Sequence, residues 1–431
     1  MKKTLLVCVI LLIVAQVFAA DIIQDPVRCD ANTFSIMPWG TEVSEGSIVD
    51  YDHYFQDIYE CGFNVAGFMP VDKLDLAKKN KVMSSVYSLG MIDRSIENKQ
   101  EMYDDWAKKT RAAIGDENLS NVFQVYLKDE PNVVDIPDLV LMSESVRKYI
   151  GVKPYINLFP SYASDYHFDG LSRYEYYKKV VDDCKLDFVS YDNYSLFVGE
   201  GLDENRFYKN LEIVSKVAKE SKVDFVNIIL SMAHFNYALP DEYSINVQGW
   251  STLAYGGKGL SYFLFHSANR GNYRGGAYDR YGSKTPLWYV IRNMNFAIHN
   301  IMPYYKDLTH VNTFHIGNVP ETSNDIKSAK CIKTLEASID KVNSKNAGPF
   351  KNQKNLKPNL VVGEFIGQGT KQYAIIVNKD PNYSVQIKKL EFLKGDKVKH
   401  IQDYTIDNKI CDFAGEDIWL APGYGILVYG E

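Results

Sequence analysis

Eight short stretches rich in β-branched and aromatic residues (33–39, 63–68, 81–88, 122–128, 153–159, 187–194, 224–234 and 259–266) recur through the first two thirds of this 431-residue chain. Between them lie amphipathic stretches at 48–61, 99–114, 136–150, 171–184, 206–221 and 242–255, with apolar residues at three-and-four spacing, and Pro286 opens another to about Tyr304. Strands separated by helices are joined by crossovers and run parallel. Eight such units predict closure into a (β/α)8 TIM barrel of class α/β. An open dinucleotide-type sheet would need a glycine-rich turn after an early strand, and the sequence has none. Gly256-Gly257-Lys258-Gly259 follows a helix and precedes a strand, the reverse of a phosphate loop, so it reads as a helix C-cap.

The character changes after residue 305. A polar, Lys- and Asn-rich connection from 318 to 358 leads into strand-like segments at 360–366, 372–377, 385–392, 397–404 and 419–428. Turn chemistry such as Gly367-Gln368-Gly369 and Asp380-Pro381-Asn382 separates them, which predicts a C-terminal antiparallel β-sandwich. At the other end, Lys2 and Lys3, the apolar run Leu5 to Val14 and the small-residue region Val17-Phe18-Ala19-Ala20 read as a signal peptide. The expected plan is a signal peptide at 1–20, a barrel at 21–305 and a β-sandwich domain, connection included, at 306–431.

That leader implies a secreted or periplasmic protein, and no second apolar segment has membrane length. Cys8 sits within the apolar run and does not suit a lipid-anchored N-terminus. A formal net charge of −6 with dispersed lysines excludes the electrostatic footprint of a nucleic-acid binder. Past the leader, Cys29, Cys61, Cys184, Cys331 and Cys411 form no C-x-x-C pair, so a structural zinc site is not expected. One disulfide involving Cys29 or Cys331 is compatible with an oxidising compartment. Nothing in the sequence sets an oligomeric state.

In a closed barrel the C-terminal strand ends build the active site, which gathers Trp39, Asp129, Glu130, Asn157, Asp192, Tyr194, His234 and His266 on one rim. The fourth stretch ends in two adjacent acids, Asp129 and Glu130, before Pro131 and Asn132 turn the chain out of the sheet. A carboxyl there, beside another and roofed by aromatic loops, has its pKa raised and suits a general acid. Glu130 is that candidate, with Asp129 orienting a hydroxyl or tuning it. The second carboxylate is left open between Asp192 and Glu242, the latter near the start of the seventh helix. Trp39 could floor a sugar subsite, and Asn157, Tyr194, His234 and His266 could meet hydroxyls. No metal or cofactor is implied, since neither an H-E-x-x-H nor a nucleophilic-serine elbow occurs.

Tyr126-Leu127-Lys128-Asp129-Glu130-Pro131 resembles the fourth-strand motif of the large clan of (β/α)8 retaining glycosidases, where the glutamate is the acid/base. Tyr191-Asp192-Asn193-Tyr194 and the segment from Gln248 to Phe263 are similar to bacterial β-galactosidase-like members, and Leu420 to Gly425 resembles the final strand of their β-domain. The resemblance implies a hydrolase acting on an oligo- or polysaccharide. The departure is at strand seven, where 229–235 holds no glutamate to act as nucleophile. Two alternatives follow: a hydrolase resembling the α-galactosidase barrels, with Asp129 as nucleophile and Asp192 as acid, or a non-catalytic glycan-binding protein on a degenerate barrel.

Overall fold

The computed structural model describes residues 26–40, 50–87, 98–266, 271–339, 356–401, 409–413 and 418–431. The leader, residues 267–270 of the loop after the eighth strand and residues 340–355 of the polar connection lie outside this set. Eight parallel strands form one sheet: β1 (Ser35–Pro38), β2 (Val65–Met69), β3 (Met83–Tyr87), β4 (Val122–Asp129), β5 (Lys153–Leu158), β6 (Phe188–Asp192), β7 (Asp224–Leu230) and β8 (Gly259–Phe263). Their order is β1-β8-β7-β6-β5-β4-β3-β2. Asn64 closes the seam, its backbone N–H donating to Ile36 O at 3.2 Å while its side-chain oxygen accepts from Ile36 N–H at 2.8 Å. Gly67 permits the approach, because a Cβ there would lie 2.2 Å from Pro38 O. The predicted barrel is therefore present.

Each strand is followed by a helix: α1 (Tyr51–Glu60), α2 (Leu74–Lys79), α3 (Lys99–Ile114), α4 (Ile136–Ser145), α5 (Arg173–Asp183), α6 (Glu204–Ser221), α7 (Glu242–Ala254) and α8 (Pro286–Tyr305). Asp50, Asn98, Ser172, Asp203 and Asp241 start five of them by accepting from first-turn N–H groups. The periodic stretch at 136–150 continues past α4 as a π turn, Val146–Ile150, that ends on left-handed Gly151. Strand alternation sorts the core into two layers. Met37, Val65, Phe123, Tyr155, Phe188 and Val226 fill the barrel interior, and the opposite faces pack under the helices.

The second domain pairs a six-stranded antiparallel sheet with a three-stranded one. The first contains β9 (Thr309–Ile316), β11 (Leu360–Ile366), β12 (Gln372–Asn378), β14 (Val398–Ile401), β15 (Ile410–Asp412) and β17 (Gly425–Gly430); the second contains β10 (Ile332–Ile339), β13 (Val385–Phe392) and β16 (Trp419–Leu420). Strand β10 lies inside what reads in sequence as a polar connection, and β9 precedes it unpredicted. The polar residues of β9 look like surface but are held by partners. His315 Nε2 lies 3.0 Å from Tyr255 OH, and Asn312 donates to the buried Glu364 carboxylate at 2.9 Å.

One hydrophobic cluster runs from the barrel into the second domain, which also has a core of its own. On β11 and β12, Val361, Phe365, Ile375 and Val377 join the barrel-side cluster, whereas Leu360, Val362, Ala374 and Ile376 fill the sandwich. Helix α7, buried throughout Ser244–Ala254, lies between. At Gly363 a Cβ would fall 1.8 Å from Ala254 O, so only glycine fits that crossing. A buried ion pair completes the contact, with Lys379 Nζ 2.6 Å from Glu204 Oε2.

The five cysteines among the described residues are free thiols, which removes the expected disulfide. Cys29 Sγ lies 3.1 Å from His299 Nδ1, and Cys331 is buried in the sandwich core. Among the described residues no helix is long and apolar enough to cross a membrane.

Candidate active site

Simple alternation along β4 would turn Asp129 away from the barrel mouth. Tyr126 faces the interior and Leu127 packs outward, so Asp129 would follow Leu127. The ladder breaks that parity. Tyr126 pairs with Tyr155, but Lys128 pairs with Ile156 and Asp129 with Asn157, so β4 accommodates one extra residue at Leu127. This bulge brings Asp129 onto the inward face of Asn157.

Asn157 holds two carboxylates at once. Its Nδ2 donates to Asp129 Oδ1 and to Asp192 Oδ1, each at 3.0 Å. Its Oδ1 accepts from Ser190 Oγ at 3.0 Å, and Ser190 Oγ lies 3.0 Å from Tyr155 OH. Ser190 and Asp192 share a face of β6, as Tyr155 and Asn157 share one of β5. The layer beneath the acids is thus a continuous hydrogen-bonded relay. Glu130 follows in the left-handed region, φ +43°, with its N–H donating to Asn157 O at 2.9 Å. A non-glycine residue there is strained, and such strain concentrates at functional sites.

The three acids are graded in proton affinity. Asp192 is buried, and desolvation, then the charges of Glu130 and Asp129, push it well above the usual carboxylate range despite its bond from Asn157. Desolvation and the Asp129 charge raise Glu130 to about 7. Asp129 is open to the cleft on one side, yet enough protein surrounds it for desolvation to raise its pKa, opposed by the Asn157 bond and the Lys128 charge. All three carboxyls are thus held above the usual carboxylate range, with burial the first cause at each.

Aromatic side chains wall this cluster. Trp39 is buried beneath the mouth, packed edge-on against Phe68, Tyr126 and Tyr155. Tyr194 packs against His234, Tyr237 and Phe263, and its N–H donates to Tyr162 OH at 3.1 Å. His234 is buried with Nδ1 3.0 Å from Met232 O, and desolvation lowers its pKa. Two expected site residues lie elsewhere. The Glu242 carboxylate accepts from Tyr424 OH of the second domain at 2.6 Å, and it is not among the charges that shift the three acids. His266 is packed between Tyr54 and Tyr278 in the barrel wall, where burial lowers its pKa to about 4. Ser190, Tyr155 and Tyr162 were not singled out in the sequence. For the first two, the period-two spacing from Asp192 and Asn157 was the available signal. No cluster of metal ligands occurs among the described residues.

Because the Asn157 bond lowers the pKa of both Asp129 and Asp192, Asn157→Ala is expected to move the acidic limb of any pH–rate profile to higher pH. A profile with an unmoved acidic limb would show that the amide does not tune these carboxyls.

No family profile matches this sequence, and no curated protein matches it. Solved structures with a similar backbone include the β-galactosidase of the psychrophilic Marinomonas ef1, with TM-score 0.48 and 10% identity over 64% of this chain and 62% of that one. The chain thus spans less than two thirds of that enzyme. The endo-β-1,4-mannanase of Thermotoga petrophila gives TM-score 0.44 and 11% identity over 80% of this chain and 94% of that one. The catalytic domain of the Paenibacillus polymyxa β-amylase gives 0.44 and 9% over 62% and 98%. These are likenesses of backbone shape, and no residue role is carried over from them.

Proposed function

We propose that this protein is a secreted or periplasmic glycoside hydrolase acting on an oligo- or polysaccharide, with Glu130 as general acid/base. The observation that carries the reading is the carboxyl cluster itself. Asp129 and Asp192 each hold an oxygen 3.0 Å from the same Asn157 nitrogen, which gathers the two within about 6 Å, and Glu130 directly follows Asp129. A proton donor with a pKa of about 7 sits beside them.

In this reading Glu130 protonates the departing glycosidic oxygen. Asp129, the most exposed of the three and the one next to Lys128, is the anion facing the anomeric carbon. Asp192, whose burial favours the protonated form, donates a hydrogen bond. The shared amide also favours a second reading, in which Asp129 is the nucleophile, Asp192 the acid, and Glu130 only tunes them.

Hydrolysis of a panel of 4-nitrophenyl glycosides by the wild type, Glu130→Gln and Asp192→Asn tests both. Loss of the basic limb near pH 7 in Glu130→Gln alone supports the first assignment, and its loss in Asp192→Asn alone supports the second. A wild type that cleaves nothing in the panel, and no oligosaccharide, sinks the hydrolase reading and leaves a glycan-binding barrel.

A further inference from the structure

Phe235, in the loop after β7, combines two unfavourable features. Its backbone is left-handed, φ +46°, and its ring is 67% exposed. A bulky residue at positive φ is a strained exception, and a large ring in water gains nothing from burial. The arrangement is imposed from the neighbouring loop. Asn272 Oδ1 accepts from Phe235 N–H at 2.8 Å, and Asn272 Nδ2 donates to Phe235 O at 2.8 Å. Beside this clamp, Ala233 and Arg274 exchange backbone hydrogen bonds of 3.1 and 2.9 Å. The backbone that carries the ring is thus fixed from both sides.

Its surroundings are continuous with the carboxyl cleft. Phe235 touches His234 and Tyr273, with ring centroids 5.2 and 6.0 Å away, and His234 packs in turn on Tyr194, the cleft wall. Two more rings are exposed on the same rim: Tyr166 after β5, 83% exposed with one edge contact to His167, and Tyr281 after β8, 80% exposed. In the closed barrel β6 and β7 stand between β5 and β8, so these rings reach the rim from separate loops.

We propose that Phe235, Tyr281 and Tyr166 form a platform for sugar units beyond the one whose bond is cleaved, so that the protein takes a multi-unit glycan chain. This rests on the carbohydrate reading of the cleft. A pyranose presents a C–H face that packs on an aromatic ring while its hydroxyls stay in water. A ring on a fixed backbone has only its two side-chain torsions to order on binding, which is what the clamp at Phe235 secures.

The test is the migration of the full-length protein through native gels containing hydroxyethyl cellulose, galactomannan, xylan or starch, together with kcat/KM on 4-nitrophenyl glycosides. At least one polymer is expected to retard the wild type. Phe235→Ala should weaken that retardation about tenfold, with Phe235→Trp retaining it and aryl-glycoside hydrolysis unchanged. Phe235→Gly separates folding from binding: it relieves the backbone strain, so its melting temperature should rise while retardation falls. Equal retardation of wild type and Phe235→Ala overturns the proposal, as does a wild type that none of the four polymers slows. So does a dimer in light scattering that Phe235→Ala dissolves, which would assign the ring to a second copy of the chain. The hydrolase reading fails separately, since retardation without any hydrolysis leaves the platform standing, whereas aryl-glycoside hydrolysis without retardation removes the platform alone.

Discussion

Glu130→Gln is expected to lower kcat/KM by about 10²- to 10⁴-fold on glycosides with poor leaving groups, and to make the protein more stable at alkaline pH. The activity loss follows from removing the proton donor. It should shrink for 2,4-dinitrophenyl glycosides, whose leaving group needs no proton. The stability gain follows from the Glu130 pKa, raised from 4.5 to about 7 by desolvation and by Asp129. Between those values the folded protein holds a proton that the unfolded chain has released, so stability falls as pH rises through that window. Glutamine cannot ionise and escapes this loss. With solvent screening at a half-open site, the gain above pH 7 is about 1–2 kcal/mol, vanishing below pH 4.5. Thermal melts at pH 4 and pH 8 measure it. An identical wild-type-to-variant difference at both pH values would show that Glu130 is not perturbed, and with it the acid/base assignment would lose its physical basis.

Breaking the ion pair between the domains should cost more. Lys379 is fully buried; its Nζ lies 2.6 Å from Glu204 Oε2 and donates to Asn318 O at 2.7 Å. Asn318 and Asn359 donate to the two Glu204 oxygens at 2.9 Å each. Desolvation lowers the Lys379 pKa, and the Glu204 charge opposes that. Glu204→Ala strands a buried ammonium and is expected to destabilise the chain by about 3–5 kcal/mol, whereas Glu204→Met with Lys379→Met removes both charges and should cost far less. Urea unfolding of the single and double variants gives the comparison. The single variant should also separate the β-domain transition from that of the barrel, because this pair is a buried polar link between them. A single-variant loss below about 1 kcal/mol, the range of exposed pairs, would place the bridge in solvent-like surroundings.

Much of the architecture is legible without coordinates because it rests on periodicity. The strand–helix alternation depends only on which residues are apolar and at what spacing, and each unit buries its own face in the same way. Strand β9 escapes this logic. His310, Asn312, Thr313 and His315 put polar atoms in a strand, and only their partners make that burial tolerable. Glu242 and His266 show the same limit from the other side. Both are ionisable residues beyond strand ends, but Tyr424 from a domain more than 180 positions away takes up the first, and packing between two tyrosines isolates the second.

By itself the sequence determined that two acids end the fourth strand, that Pro131 and Asn132 turn the chain out of the sheet there, and that eight units make that end a barrel rim. These are consequences of local chemistry and of period. Only the tertiary structure decided that Asp129 faces the cleft. A strict period of two carries it outward from Tyr126, and the extra residue at Leu127 reverses that through a register set by pairing with β5. The same pairing brings Asn157 between Asp129 and Asp192, two residues 63 positions apart that a single amide nitrogen holds together.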